Sequence, residues 1–564
     1  MNRLPETTHS QTHVLPSGVS GLITVLLRWM RPVTLCMLLP TLCFQPLAAA
    51  EYDVVITNGR VMDPETGFDA VRNVGIRDGL IVVITEVDIS GVEMIDASDH
   101  VVSAGFIDTH AHSHGNPWGV KAALRDGVTT LLDLEYGNIN VDQWYREREG
   151  RWPINHGAAA SHEMHRMRVL DGLTFDAGAD AQQGIVSRAE SYLRDGIPNW
   201  AETVPSLAQL NEILVGLDEE LRAGAIAVAS TMGYMAKGAT TLEVLSLQRA
   251  AAAYGRTSGI HVRLLGNNQP PYEGTLGVLE QLANAAALGA PALISHNNNV
   301  GWWEVEDRAQ GLRRRGLNVW SEYYPYVCGS STIGTEYLKP EGMKMLGWDY
   351  SQLKIPSTGE ALTLESYERL VAQDPGMIII GCIPEREDWL AKWLRVPHMT
   401  VAGDQMPPVN AAGEPLGWDD PWEAYVGHPR TAGTHAKTLR LARELRVPLM
   451  HMLAQNSYWS AAHLGDAGLE AMRKRGRMQV GMIADIAIFD PETVTDNATY
   501  EPGKNGLPST GIPWVLVNGT IVVEDSRVLS DRYPGQPIRY PIEARGRFEP
   551  IDMDRYMERL LIPR

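Results

Sequence analysis

His110 and His112 flank Ala111 directly after the apolar run Val101-Val102-Ser103-Ala104-Gly105-Phe106-Ile107-Asp108-Thr109. Side chains along a strand alternate faces, so imidazoles at i and i+2 project the same way and can grip one cation. Alone, such a pair is a weak signal, because ordinary surface histidines share it. Further ligand-type residues end short apolar stretches downstream: Thr129-Thr130-Leu131-Leu132-Asp133-Leu134-Glu135, Ser258-Gly259-Ile260-His261, Ala292-Leu293-Ile294-Ser295-His296 and Met399-Thr400-Val401-Ala402-Gly403-Asp404. Three or four neutral imidazoles with carboxylates suit zinc or a similar divalent ion that keeps one position open for water. Such an ion lowers the pKa of water and polarises a carbonyl, which is the chemistry of hydrolysis.

The elements that would position these groups follow from the same spacing. Reactive side chains at the C-terminal ends of successive parallel strands meet on one face of a (β/α)8 barrel. Helical patterns over residues 207–223, 241–253 and 277–288 alternate with the apolar strands and supply the βα rhythm of an α/β barrel. Both ends of the chain read as β-rich. Asn58-Gly59, Asp78-Gly79 and Asn518-Gly519 each sit between apolar runs and predict two-residue hairpin turns. The expected organisation is a small composite β-sandwich built from residues 51–103 and 477–545. It encloses a hydrolase barrel over 104–476, and residues 546–564 form a tail. The polar, Trp-rich stretch 337–393 is too long for a simple loop and is expected to hold helices that cover the site.

The chain has 564 residues, 44% of them hydrophobic, with a formal charge of -19. That length can bury one large core and a smaller one, and the acidic balance, with no basic face in evidence, argues against nucleic acid as a partner. Arg31 precedes the apolar run Pro32–Phe44, and Ala48-Ala49-Ala50 supplies a small-x-small cleavage signal. Residues 1–50 therefore read as a signal peptide, with the mature protein periplasmic or secreted and off the membrane once cleaved. The run is too short and too Pro-interrupted for a membrane span. Cys328 and Cys382 remain in the mature chain; whether they pair is open at this level.

With these residues in place, the chain resembles the metal-dependent amidohydrolase superfamily, and within it the N-acyl-D-amino-acid deacylases, or D-aminoacylases. The matching segments run in order along the mature chain: Gly105–His112, Gly127–Thr130, His261-Val262-Arg263, Ser295-His296, Tyr324-Pro325-Tyr326, Gly403-Asp404, His428–Thr434 and Gly481–Asp485. The resemblance implies one or two divalent ions, zinc foremost. It makes His110, His112, His261 and His296 the ligands. Asp404 becomes the residue that takes the proton from water, and one that can also touch the metal. It also implies that Arg430 and Tyr324 bind the α-carboxylate of an N-acyl amino acid.

Three departures stand out. The cysteine usual after Gly-Val-Thr-Thr is replaced by Leu132-Asp133-Leu134-Glu135, and this segment is similar to the N-acyl-D-glutamate deacylase branch. No lysine is well placed to be a carboxylated ligand, since Lys237 lies past its strand. Glu135 is thus the best anionic, bridging ligand, the other reading being an acid that orients a histidine from behind. Asn298 stands where many relatives have a substrate-binding lysine. Arg263 suits a second, side-chain carboxylate or, equally, a structural ion pair with Glu322 or another barrel acid.

The expected activity is hydrolysis of the amide of an N-acyl-D-amino acid, N-acyl-D-glutamate among them. The rival activity is cleavage of another amide, such as a dipeptide, a lactam or an acylated toxin. A catalytically silent binding protein on the same scaffold is disfavoured because His110, His112, His261, His296 and Asp404 are all present. If the leader is read correctly, protein exported from a bacterial host will begin near Glu51 by intact mass; retention of residues 1–50 would contradict it.

Overall fold

The computed structural model describes residues 51–268 and 273–562, so the proposed leader lies outside the described residues. Eight strands form one all-parallel sheet in which each pairs with its neighbour in the sequence. They are β1 (Phe106–Asp108), β2 (Val128–Asn138), β3 (Asn155–Ser161), β4 (Ala227–Ser230), β5 (Thr257–Ile260), β6 (Ala292–Ile294), β7 (Val319–Tyr323) and β8 (Met399–Val401). The seam between β1 and β8 closes just past the strand ends. There Ala111 and Gln405 form a parallel bridge, and the His112 amide donates to the Gln405 carbonyl at 2.9 Å. This is the expected (β/α)8 barrel.

Period-two alternation sorts the strand residues into two cores. Ile107, Leu132, Leu134, Ala159, Ala229, Leu293 and Trp320 fill the barrel interior. Ala158, Ala160, Val228, Ile260, Ala292 and Val319 point outward against helices that include Leu207–Arg222 and Thr241–Ala253. The interior is tight. A Cβ on Gly259 would lie 2.0 Å from the Leu134 carbonyl oxygen, so that approach requires glycine.

The second domain is one nine-stranded sheet drawn from both ends of the chain. Strand Ile486–Phe489 pairs antiparallel with Val101–Ala104 and joins the two halves. The sheet curls until Leu80 meets Ile483, and it encloses Val54, Ile76, Ile81, Val102, Ile486 and Leu516. Asp78-Gly79 and Asn518-Gly519 are two-residue turns with positive φ at all four residues, as their composition predicts. Asn58-Gly59 is not a turn. Tyr52–Asp63 is a single strand, and Asn58, at φ 60°, marks a bulge where Ile56 faces Val74 and Gly59 faces Arg72. The Asn-Gly signal fits a bulge as well as a hairpin, and the long partner Phe68–Arg77 keeps the strand in register on both sides.

The insertion between β7 and β8 has its own sheet and core, and its strands start at Cys328 rather than near Tyr337. Strands Cys328–Thr332, Leu353–Lys354 and Ile378–Cys382 pair antiparallel. Helices Pro340–Leu346 and Leu364–Gln373 pack on a core of Ile333, Leu338, Leu353, Leu362, Tyr367 and Ile379, whereas Arg386–Trp393 packs through Trp389, Leu390 and Trp393 on a cluster that includes Tyr323, Met399 and Val401. Register sets Cys328 opposite Cys382, and the two are disulfide-bonded. No helix among the described residues is long and apolar enough to cross a membrane.

Candidate metal centre and active site

The chain beyond β1 and the chain beyond β8 are tied together before either contributes chemistry. Asp108, the last residue of β1, accepts from the His110 amide (3.0 Å) and, through both oxygens, from the Gly403 amide (3.0 and 2.9 Å). A Cβ on Gly403 would come within 2.7 Å of that carboxylate. Two candidate ligands sit in the left-handed backbone region, His296 at φ 31° and Asp404 at φ 46°. Such strain persists only where surrounding contacts enforce it, and it clusters at functional sites.

Glu135 reaches the centre because β2 leaves its ladder. Asp133 pairs with Ala158 and Asn138 with Ala160, so the residues between them loop out toward the barrel axis. One oxygen of Asp133 fixes the loop by accepting from the Glu135 and Tyr136 amides at 3.0 and 2.9 Å. The two oxygens of Glu135 then face different histidines. Oε2 lies 3.1 Å from His110 Nε2 and 3.3 Å from His112 Nε2, while Oε1 lies 2.9 Å from both His261 Nδ1 and His296 Nε2. Asp404 Oδ1 is 3.4 Å from His110 Nε2 and 3.5 Å from His112 Nε2. All six of these sequence-predicted ligands therefore come together, with ligand atoms converging in overlapping trios within 4.8 Å.

The donor set fits a divalent cation. His110 Nδ1 is 2.6 Å from Glu322 and His112 Nδ1 is 2.8 Å from Asp133. Those carboxylates accept hydrogen bonds from the Nδ1–H groups, which leaves two Nε2 lone pairs only 3.3 Å apart in the site. Lone pairs that converge in a buried site call for a positive charge between them. Electrostatics agree. Burial opposes charge on His110, yet Glu135, Asp404 and Glu322 outweigh it and lift its pKa well above that of a free imidazole. His112 is lifted likewise, burial being outweighed first by Asp133. Burial pushes Glu135 and Asp404 up, but the histidines hold the first, and Arg430 above all the second, well below the usual carboxylate range. The cluster is built to hold positive charge, and a divalent ion supplies it by displacing protons.

The cavity above this cluster is walled by Tyr136, Arg188, Tyr234 and Tyr324, and by Leu338, Leu346, Trp348, Leu353 and Ile379 of the insertion. Arg430 reaches the site but lies behind Asp404. It is buried, its Nη2 is 3.0 Å from Asp404 Oδ1, and its guanidinium sits 4.6 Å from the Tyr324 ring centre. Arg263 does not reach the site. Its guanidinium is held by Glu280 (2.7 and 3.3 Å) and by the carbonyls of Ala236 and Ala239, so the structural ion pair prevails over substrate contact. Asn298 supports the Tyr324 carbonyl at 3.3 Å, and Lys237 stays half exposed, paired with Glu202 and Glu336.

Sequence reasoning missed the acids behind the histidines. Asp133 was visible two residues before Glu135 on the same strand face. Glu322, expected as an ion-pair partner for Arg263, instead backs His110 and accepts from the Thr109 hydroxyl at 2.8 Å.

A parallel eight-strand barrel that gathers histidines and carboxylates at its strand ends is a framework that can hold a divalent ion for hydrolysis. No family model matches the chain. The D-aminoacylase of Alcaligenes xylosoxydans xylosoxydans is 25% identical over 506 residues, which cover 84% of this chain and 95% of that protein. The N-acyl-D-glutamate deacylase of the same organism is 27% identical over 503 residues, covering 83% and 93%. The crystal structure of the Bordetella bronchiseptica N-acyl-D-glutamate deacylase, complexed with zinc and a phosphonate mimic of the tetrahedral intermediate, superposes with a TM-score of 0.65 at 22% identity. That match covers 87% of this chain and 100% of the other. The chain is thus similar, over most of its length, to the D-aminoacylases and N-acyl-D-glutamate deacylases.

The geometry separates the acids by role. Glu135→Gln, which removes the charge shared by four imidazoles, should weaken metal binding by tenfold or more or abolish it at one of two sites. Glu322→Gln should cost roughly tenfold to a hundredfold through His110 alone. Elemental analysis and chelator competition measure both; unchanged affinity in Glu135→Gln would remove Glu135 from the ligand set.

Proposed function

We propose that the protein hydrolyses the amide bond of N-acyl-D-amino acids, releasing a carboxylate and the free D-amino acid, with one or two zinc ions held by His110, His112, Glu135, His261, His296 and Asp404. The observation that carries this reading is Glu135, whose two oxygens face two histidine pairs beneath a cavity walled by the insertion. The activities of the relatives, matched over more than nine-tenths of their length, support this substrate class.

A divalent ion held by these residues would supply Lewis-acid polarisation of the amide carbonyl and a lowered pKa for water, so that hydroxide would be available near neutral pH. The remaining work belongs to the chain. Arg430 keeps Asp404 ionised, so its carboxylate can take the proton as the water oxygen bonds to the carbonyl carbon. Returned to the amide nitrogen as the C–N bond breaks, the same proton lets the amine depart. Glu322 and Asp133 fix the tautomers of His110 and His112, which keeps their Nε2 atoms on the cluster through the cycle. The apolar insertion side chains limit water around the amide and strengthen these electrostatic contacts. We further propose that this takes place in the periplasm or outside the cell, a reading supported by the leader-like first 50 residues and the Cys328–Cys382 disulfide.

Metal-replete protein should turn over an N-acetyl-D-amino acid panel and leave the L-enantiomers largely untouched. Asp404→Asn should retain metal while kcat falls about a hundredfold or more, because an amide cannot accept the proton. Near-normal kcat in that variant would exclude Asp404 as the base, and equal turnover of a dipeptide panel would favour the broader amidase reading.

A further inference from the structure

Two arginines face the cavity, and only one has its charge met. Arg188 Nε and Nη2 lie 2.9 and 2.7 Å from the Glu163 carboxylate. Arg386 is 3% exposed and has only neutral partners. Its Nη1 donates to the Tyr324 hydroxyl at 3.0 Å and its Nη2 to Asn299 Oδ1 at 2.6 Å, while Nε is buried with no hydrogen-bond partner. No carboxylate among the described residues lies within ion-pair distance of it. It is also the first residue of helix Arg386–Trp393, the end at which the helix dipole disfavours a cation. A buried guanidinium without a counter-charge is costly, and such groups persist where a ligand supplies the missing anion.

The surroundings indicate which anion. A guanidinium has five N–H donors in a fork that matches a carboxylate, and Arg386 spends two of them on protein. By accepting from Arg386, the Tyr324 hydroxyl keeps its own proton free to donate into the cavity. The Tyr324 ring lies 6.4 Å from that of His296, so this donor pair stands beside the metal cluster. Of the two arginines expected to read carboxylates, Arg263 is paired with Glu280, while Arg430 holds Asp404 through Nη2 and keeps Nε and Nη1 buried without a hydrogen-bond partner, so Arg386 stands beside it as a further cation.

We propose that Arg386, beside the Tyr324 hydroxyl, is a further carboxylate-binding residue for the substrate. This rests on the N-acyl-amino-acid reading given above. A carboxylate of such a substrate comes from its α-carbon or from an acidic side chain, and Arg386 takes one of these as a forked, charge-assisted contact.

The test compares wild type with Arg386→Met and Arg386→Lys as metal-replete full-length mature protein, on N-acetyl-D-glutamate and N-acetyl-D-leucine. Arg386→Met should raise KM about thirtyfold or more, and Arg386→Lys by less, because the charge survives without the fork. An equal rise on both substrates assigns the α-carboxylate, and a rise confined to N-acetyl-D-glutamate assigns the side chain. Because an uncompensated buried cation is removed, the Tm of Arg386→Met should stay level or increase, with metal content unchanged. A merely structural arginine would instead lower Tm and kcat together, and that result, or an unchanged KM, overturns the proposal while leaving the reaction intact. If wild type hydrolyses neither compound, the reaction reading fails. Arg386 is then judged by calorimetric titration of D-glutamate into the holoprotein: binding abolished in Arg386→Met sustains the site, and identical titrations refute it.

Discussion

The carboxylate of Glu135, buried between four imidazoles, is the contact on which the rest of this structure depends. Each of its oxygens serves a different histidine pair, so a shift of one ångström in β2 would disconnect one pair or the other. The looped-out turn after Asp133 sets that position. The same Asp133 carboxylate that pins the turn also orients His112, which couples backbone shape to ligand direction in one side chain. Around it, Asp108, Glu322 and Asp404 are buried as well. So many carboxylates in a dry interior are tolerable only with compensating positive charge, and metal binding therefore contributes to folding as well as to chemistry.

Much of this was legible in the sequence, for identifiable reasons. Barrel strands end where ligand-type residues follow apolar runs, and a parallel barrel has one face on which such ends can meet, so His110, His112, His261, His296 and Asp404 could be grouped from spacing. Glu135 followed from what the segment lacks. What the sequence left hidden concerns direction rather than composition. Arg263 is two residues past His261, but β5 has already ended at Ile260, and the next helix captures it through Glu280. Asn58-Gly59 carries the chemistry of a turn, yet pairing with Phe68–Arg72 on one side and Val74–Ile76 on the other makes it a bulge.

The insertion shows the same limit on a larger scale. Its length predicted a cover over the site, but Arg386 lies in no motif, and nothing local distinguishes it from a surface arginine. It acquires meaning because its helix packs through Trp389, Leu390 and Trp393 on a cluster with Tyr323 and Met399 of the barrel, just after the strand pair carrying Cys328 and Cys382, and so begins at Tyr324 and Asn299. Scaffold and specificity are thus divided: the barrel fixes the metal ligands, and the segment between β7 and β8 shapes what can approach them.

The most direct test of this account is anomalous scattering from crystals grown with zinc, measured above and below the zinc absorption edge. The account predicts density in contact with the Glu135 carboxylate, on the His110–His112 side, on the His261–His296 side, or on both. Zinc bound only away from Glu135, or a Glu135 side chain turned out of the cluster in the loaded protein, would contradict it.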